Sequence, residues 1–205
     1  MTYITADLMI KINFNDSYRL RALLADPLAS GMVTTLALSC KTDFSHMRLS
    51  EGAMRVLTTP NAGGTSEKSE AISFEVLRTL LRVRLTATEM EIHYFPYGSK
   101  KTDYAVTGPD GQVFGVSVTR ANNYRRGHLF DTKCARHLLR KKLDGIIWST
   151  ANVNSHKWER QILHIIAPDR RIARLLRRQY RKLNKDVRAN SIVLVTILSS
   201  VPAIW

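Results

Sequence analysis

Apolar residues after position 65 recur at two spacings, and each spacing predicts a different element. An apolar stripe with helical period follows Thr65 and Ser66, either of which can cap the helix. Alternating apolar and polar residues predict strands at residues 89–95, 101–107 and 112–120. Because Gly-Pro-Asp-Gly at residues 108–111 favours a turn, the last two strands are predicted to form a hairpin.

The second half of the chain continues with a helix at residues 131–148 and a buried strand at Gln161–Ala167. A helix starting at Pro168-Asp169 is predicted to reach residue 184, and a strand follows at residues 192–198. The order from residue 66 is therefore α-β-β-β-α-β-α-β. This order predicts an α/β fold with a mixed sheet flanked by helices.

The first 60 residues have a less regular pattern. Residues 9–14 alternate as a strand does, residues 18–28 are compatible with a short helix, and residues 33–39 are an apolar run. We expect residues 1–60 to be an N-terminal extension packed on the core, and residues 61–205 to form the α/β domain.

The net charge changes the functional picture. Thirty-one Lys and Arg residues face seventeen Asp and Glu residues, which gives a formal net charge of +14. Such a surplus repels itself in the folded state and favours a polyanionic partner. Nucleic acid is the commonest partner of this kind, and an anionic membrane surface is the second.

The positive charge is concentrated between Arg120 and Lys185, where eighteen Lys and Arg residues face four Asp and Glu residues. Solvated faces normally mix both signs, whereas arginine pairs well with phosphate. We therefore predict that the phosphate backbone of DNA or RNA is contacted, with no base-reading arrangement. The predicted contact residues are Arg120, Arg125, Arg126, Lys141, Arg170, Arg171, Arg174, Arg177, Arg178 and Arg181.

Cysteine content and hydropathy restrict the cellular compartment in which we expect the protein. The two cysteines have neither disulfide-framework nor zinc-ligand spacing, so we expect an intracellular, reducing compartment such as the nucleus, the cytoplasm or an organelle. No segment reaches the roughly 20 apolar residues that a membrane span requires, so no membrane partner is predicted.

The α-β-β-β-α-β order of residues 66–167, with Thr102-Asp103 at the start of the hairpin, resembles the PD-(D/E)XK nuclease superfamily. The resemblance implies a restriction-endonuclease-like core in which a helical Glu and Asp103 hold Mg²⁺ or Mn²⁺ for phosphodiester hydrolysis. Glu70 is the first choice for the helical acid because it falls on the face that points toward the sheet, and Glu75 is the second.

The chain departs from that family on the third strand. Ser117-Val118-Thr119 stands where the family has Glu-x-Lys, so Ser117 and Thr119 offer hydroxyls but neither a carboxylate nor a cation. We expect Lys142 to supply the missing cation, with Lys141 and Arg120 as alternatives.

Two hypotheses follow. One is a metal-dependent phosphodiesterase that acts on DNA or RNA, which Asp103 with a helical Glu favours. The other is a catalytically inactive nuclease-like module that binds nucleic acid together with other proteins of a nucleoprotein assembly, which Ser117 favours.

Overall fold

The computed structural model of the 205-residue chain describes residues 1–26, 28–61, 65–122, 129–158, 160–198, 201 and 204–205. The strands are β1 (Thr2–Ile4), β2 (Leu8–Ile12), β3 (Met32–Cys40), β4 (Arg84–Thr88), β5 (Tyr104–Thr107), β6 (Val113–Arg120), β7 (Gln161–Ala167) and β8 (Ile192–Ile197). The helices are α1 (Phe14–Ala25), α2 (Glu51–Thr58), α3 (Glu67–Leu81), α4 (Thr132–Asn152), α5 (Arg170–Arg181) and α6 (Lys185–Arg188). Short 3₁₀ turns lie at Phe44–His46 and Glu89–Glu91.

All eight strands belong to one mixed sheet in the order β1-β2-β3-β8-β7-β6-β5-β4. The central strands β3, β8, β7 and β6 are parallel, and antiparallel pairs form both edges. The predicted α/β class with a mixed, helix-flanked sheet is confirmed. The order of elements after residue 65 also agrees with the prediction, apart from the short helix α6.

The first strand of this region lies earlier than predicted. Residues Arg84–Thr88 form β4, whereas the predicted strand at 89–95 was wrong because Glu89–Glu91 turn away as a 3₁₀ helix. The side chain of Glu91 stabilises this turn by accepting a hydrogen bond from the Thr88 N–H at 2.8 Å. The alternating pattern at residues 89–95 therefore corresponds to a capped 3₁₀ turn and the residues that follow it, and not to a strand of the sheet.

The first 60 residues contribute three strands to the same sheet, because β3 pairs in parallel with β8. They also contain α2, which the apolar pattern did not reveal. Gly52 allows α2 to approach α3 closely, since a Cβ atom at this position would lie 2.6 Å from the Phe74 ring. Ser50 caps the helix by accepting from the Ala53 N–H at 3.4 Å.

Different helices cover the two faces of the sheet. Helices α1, α2 and α3 share one hydrophobic cluster with the side chains of one face. Helices α4 and α5 share a second cluster on the other face, to which Leu163 and Ile165 of β7 also belong. Ile162 and Ile166 of the same strand face the first cluster. Burial on both faces explains why β7 is mostly apolar and does not alternate. Within the described ranges, no helix combines the length and apolar character that a bilayer crossing demands.

Candidate functional site

The predicted acidic residues lie where the central parallel strands end. Strand β6 ends at Arg120, whose Nη2 donates to Thr65 Oγ1 at 3.4 Å just before α3 begins. Asp103 immediately precedes β5, which runs antiparallel to β6, so it lies beside the carboxyl-terminal half of β6. Ligands of open α/β sheets commonly bind beyond these strand ends.

Asp103 is held to β6 by two hydrogen bonds. Its backbone N–H donates to the Val116 carbonyl at 3.1 Å, and its carboxylate Oδ2 accepts from the Val118 N–H at 2.5 Å. Burial raises the pKa of Asp103 to about 6, although the charge of Lys142 and the Val118 hydrogen bond act in the opposite direction. The two bonds bracket Ser117, so Asp103 is aligned with the strand segment that carries Glu-x-Lys in the resembled family.

Glu70 comes to this site from the first turn of α3. Only 5% of its surface is exposed, and burial raises its pKa to about 7. The charge of Asp103 is the second cause of this increase, while a hydrogen bond from Ser66 works against it. Glu89 raises the pKa of both acids. Two carboxylates that oppose each other's ionisation in a buried site favour a shared cation.

Lys142 of α4 approaches the same segment from the opposite side of the sheet. Its side chain is half-buried, and its Nζ donates to the Val118 carbonyl at 3.4 Å. Its charge lowers the pKa of Asp103. The structure therefore brings a lysine from a neighbouring helix to the acidic pair, whereas the adjacent Lys141 is exposed to solvent.

The donor set around the acids is small. Ser117 is buried on β6 and Thr119 is half-buried, and neither adds a carboxylate. In the part of the chain that the structure describes, no three His, Cys, Asp or Glu side chains form a group suited to a metal ion. Glu70 and Asp103 nevertheless suit Mg²⁺, which is usually bound by one or two carboxylates with water and phosphate oxygens as its remaining ligands.

Glu75 is not part of this site. Its Oε1 accepts from the Ser50 N–H at 2.5 Å, and its Oε2 accepts from Arg78 Nε and Nη2 at 3.0 and 2.9 Å. The carboxylate therefore stabilises the start of α2 and an ion pair within α3. Because its oxygens are committed there, the geometry favours Glu70 as the helical acid. Glu91 forms an ion pair with Arg55.

Arg120 lies at the edge of the site. Its Nη1 donates to the Ile204 carbonyl at 2.6 Å, so the guanidinium anchors the end of the chain as well as the residue before α3. Arg120 is half-buried, which leaves part of its surface accessible.

Seven of the predicted phosphate-contacting residues lie on α4 and α5, whose shared face we call the basic face. They are Lys141 on α4 and Arg170, Arg171, Arg174, Arg177, Arg178 and Arg181 on α5. Arg171 also donates to the Phe130 carbonyl at 3.0 Å, and Arg177 is half-buried. Arg125 and Arg126 lie outside the described residues. Both salt bridges found among the described residues lie on the other side of the molecule, so this face has no acidic partner within ion-pair distance. Its exposed cations are Lys133, Arg136, Arg140, Lys141, Arg170, Arg171, Arg174, Arg178 and Arg181.

Sequence reasoning missed a buried chain of polar side chains beneath the acidic pair. Ser73 Oγ lies 2.6 Å from Tyr104 Oη and 2.7 Å from His164 Nδ1. His164 Nε2 lies 2.6 Å from Thr196 Oγ1, and burial lowers the pKa of His164 to about 3. The chain joins α3, β5, β7 and β8, and Tyr104 is the direct neighbour of Asp103. Isolated polar residues at apolar positions of a strand were the signal available in the sequence.

Comparison with known proteins finds a similar protein but shows no family. No family model matches the chain, and no solved structure matches it. The chain is 42% identical over 163 residues to the "AAC-rich mRNA clone AAC4 protein" of Dictyostelium discoideum. The match covers 77% of this chain but 23% of the Dictyostelium protein, so the chain spans less than a quarter of that relative's length.

Proposed function

We propose that this chain is a nucleic-acid-binding protein with a restriction-endonuclease-like core, and that its acidic pair supports metal-dependent phosphodiester hydrolysis. The observation that carries the proposal is that Asp103 and Lys142 both contact the Val118 backbone of β6, while the charge of Asp103 acts on the buried Glu70. The order α3-β4-β5-β6-α4-β7 agrees with the order of elements in the resembled superfamily.

Each group has a distinct task in this proposal. Glu70 and Asp103 hold Mg²⁺ or Mn²⁺, which when bound lowers the pKa of a water molecule and offsets charge on the phosphate. The raised pKa values of both acids fit this task, because buried carboxylates whose charged form is destabilised would be stabilised by a bound cation. Lys142 stabilises the ionised form of Asp103 and replaces the cation that Thr119 cannot supply.

The basic face supplies the binding energy and leaves the sequence of bases unread. Its arginines are exposed and have no acidic partners among the described residues, so they are available to phosphate groups. Lys142 projects from α4, the same helix that carries Arg140 and Lys141. A backbone bound along α4 would therefore pass close to the acidic pair.

An inactive binding module is the second candidate. Ser117 and Thr119 favour it, because the strand position of the family's second carboxylate carries only a hydroxyl. Both candidates share the basic face, so binding alone does not separate them.

The separating experiment is hydrolysis of single- and double-stranded DNA and RNA with Mg²⁺ or Mn²⁺. We expect the natural chain to cleave at least one substrate, and Asp103→Ala to lose about 100-fold or more of that activity. Binding should be retained in Asp103→Ala, and Asp110→Ala in the exposed hairpin turn is the matched control. Binding without cleavage in the natural chain selects the inactive module, and full activity in Asp103→Ala removes the proposed site.

A further inference from the structure

A cleft of about 370 Å³ lies at the other end of the sheet from the acidic pair. Asp103 precedes β5 whereas the hairpin turn follows it, and the cleft is bordered by this turn, by α1 and by the segment before β7. The lining side chains that matter here are Leu24, Gln112, Phe114, Lys157, Trp158 and Arg160.

Arg160 is the unusual member of this lining. Only 2% of its surface is exposed. Its Nη2 donates to the Asp26 and Ala29 carbonyls at 2.7 and 2.5 Å, which uses both hydrogens of that nitrogen. Its Nε and Nη1 are buried and have no hydrogen-bond partner among the described residues, so three N–H groups remain unsatisfied. Donors of a buried cation are rarely left in this state.

The surroundings of Arg160 add further unpaired donors. Trp158 Nε1, which also belongs to the lining, is buried without a hydrogen-bond partner. Tyr180 Oη and Arg188 Nε are also buried without a hydrogen-bond partner among the described residues. The Arg188 guanidinium lies 5.7 Å from the centre of the Tyr180 ring. Burial raises the pKa of Tyr180 to about 12 although the charges of Arg188 and Arg160 lower it, so both arginines lie near this phenol.

Among the described residues, no carboxylate forms an ion pair with this cluster. The charge of Asp26 acts on Arg160, but the two salt bridges among the described residues involve neither side chain. Asp26 Oδ1 instead accepts from the Leu28 N–H at 3.0 Å. Lys157 adds a further exposed cation at the rim of the cleft. Within the described ranges, no negatively charged group accepts hydrogen bonds from Arg160, and a charged acceptor is the partner that its free donors would suit.

We propose that this cleft binds a small molecule through a phosphate or carboxylate group placed against Arg160. Oxyanions offer only acceptors, which matches the unsatisfied donors of Arg160 and Trp158. Leu24 and Phe114 form an apolar wall beside them, and a neighbouring cavity of about 290 Å³ shares Leu24, Gln112 and Phe114. The site therefore has room for an apolar body attached to the anionic group. This inference does not depend on the proposed nucleic-acid function.

Calorimetry and thermal denaturation with inorganic phosphate and with phenyl phosphate test the proposal. We expect both probes to bind saturably and to raise the melting temperature. Phenyl phosphate should bind about tenfold more tightly because its ring is buried against the apolar wall. Equal affinity for the two probes would overturn the apolar part of the site, and no saturable binding would overturn the site itself.

Two variants assign the effect to this cleft. Arg160→Met should weaken binding by about tenfold or more, whereas Lys185→Met, an exposed cation on α6, should leave it unchanged. Trp158→Phe keeps the ring packing and removes one donor, so a loss of about fivefold is expected even if Arg160→Met does not fold. Unchanged affinity in Trp158→Phe and in a folded Arg160→Met would refute the assignment.

The basic face offers another place for phosphate, and a third variant separates the two. Arg174→Glu combined with Arg178→Glu should keep the full effect of both probes, because neither residue lines the cleft. Loss of the effect in this variant would overturn the proposal, since it would locate phosphate on the basic face.

Discussion

Helices α3 and α5 differ in where their charged side chains lie, because α3 buries acids whereas α5 exposes arginines. Eleven of the fifteen residues of α3 are buried, including Glu70 and Glu75, and Glu70 forms no ion pair among the described residues. In α5 the buried residues are uncharged, and five of its arginines extend into solvent. The pKa of a buried group depends strongly on each neighbouring residue. An exposed charge is screened by solvent and ions, so exposed charges act mainly through their total. Single substitutions should therefore matter near α3, and combined substitutions should matter on α5.

Charge reversal on the basic face is the largest expected effect. Arg174→Glu with Arg178→Glu should lower affinity for all nucleic-acid sequences by about 50-fold at 0.1 M salt, because two phosphate contacts contribute about 1.8 to the log–log salt slope. Fluorescence anisotropy over a range of salt concentrations measures both quantities. Lys11→Glu with Arg19→Glu makes the same charge change at exposed positions away from this face, and should have a much smaller effect. Equal losses in the two variants would mean that net charge alone drives binding.

The second largest effect, on stability, is expected from removal of the buried Ser73 hydroxyl of α3. Ser73→Ala deprives Tyr104 and His164 of a hydrogen-bond partner, so the free energy of unfolding should fall by about 1–3 kcal/mol. Urea denaturation measures this change. Ser45→Ala, which removes an exposed hydroxyl 3.3 Å from His46 Nδ1, should change stability little. Similar losses of unfolding free energy in both variants would mean that the buried hydrogen bonds of Ser73 contribute no more to stability than an exposed one.

The pH dependence of stability tests the buried charge of Glu70. Its pKa is raised from 4.5 to about 7, so the folded state holds this proton more tightly than the unfolded state does. The free energy of unfolding should therefore fall as the pH rises from about 4.5 to 7, and Glu70 should account for on the order of 2 kcal/mol of that change.

The variant Glu70→Gln should remove this part of the pH dependence, as measured by urea denaturation at several pH values. Asp144→Asn, an exposed acid on α4, is the control. An unchanged pH profile in Glu70→Gln would mean that Glu70 ionises as an exposed carboxylate does, and the contrast between the two helices would then fail.

The smallest effect concerns Lys142, which connects the basic face to the acids. Because its charge lowers the pKa of Asp103, Lys142→Met should move the titration of the Asp103 carboxyl carbon to higher pH. Carbon-13 NMR detects this shift without relying on activity. Lys141→Met, at the exposed neighbouring position, should leave the titration unchanged. A downward shift in Lys142→Met would contradict the assigned proximity.

Local patterns predicted some elements well and others poorly, for physical reasons. Strand β7 agrees with the prediction at both ends, because it is mostly apolar and lies between Arg160 and Pro168. Helix α4 runs four residues beyond the predicted end at residue 148. Helix α2 escaped notice because only Ala53 and Val56 are buried and its position depends on the ring of Phe74.

The site shows the same division. Asp103 and Glu70 were named from the order of elements, and Lys142 from the need for a cation, and their catalytic roles remain predictions. The structure favours Glu70 over Glu75 because the Glu75 carboxylate accepts hydrogen bonds from Ser50, which is distant in sequence, and from Arg78, which is near. The cluster around Arg160 left no sequence signal, since Asp26 and Ala29 lie more than a hundred residues away from it.

The sequence alone determined the α/β class, the order of elements after residue 65, the strong positive charge and its concentration on α4 and α5. These properties follow from residue spacing and charge counts, which are local. Tertiary structure decided which carboxylates are buried close to each other, and which polar groups, such as those of Arg160, lack a hydrogen-bond partner among the described residues. Burial and hydrogen bonding join residues far apart in the chain, so they become visible only when the sheet brings those residues together.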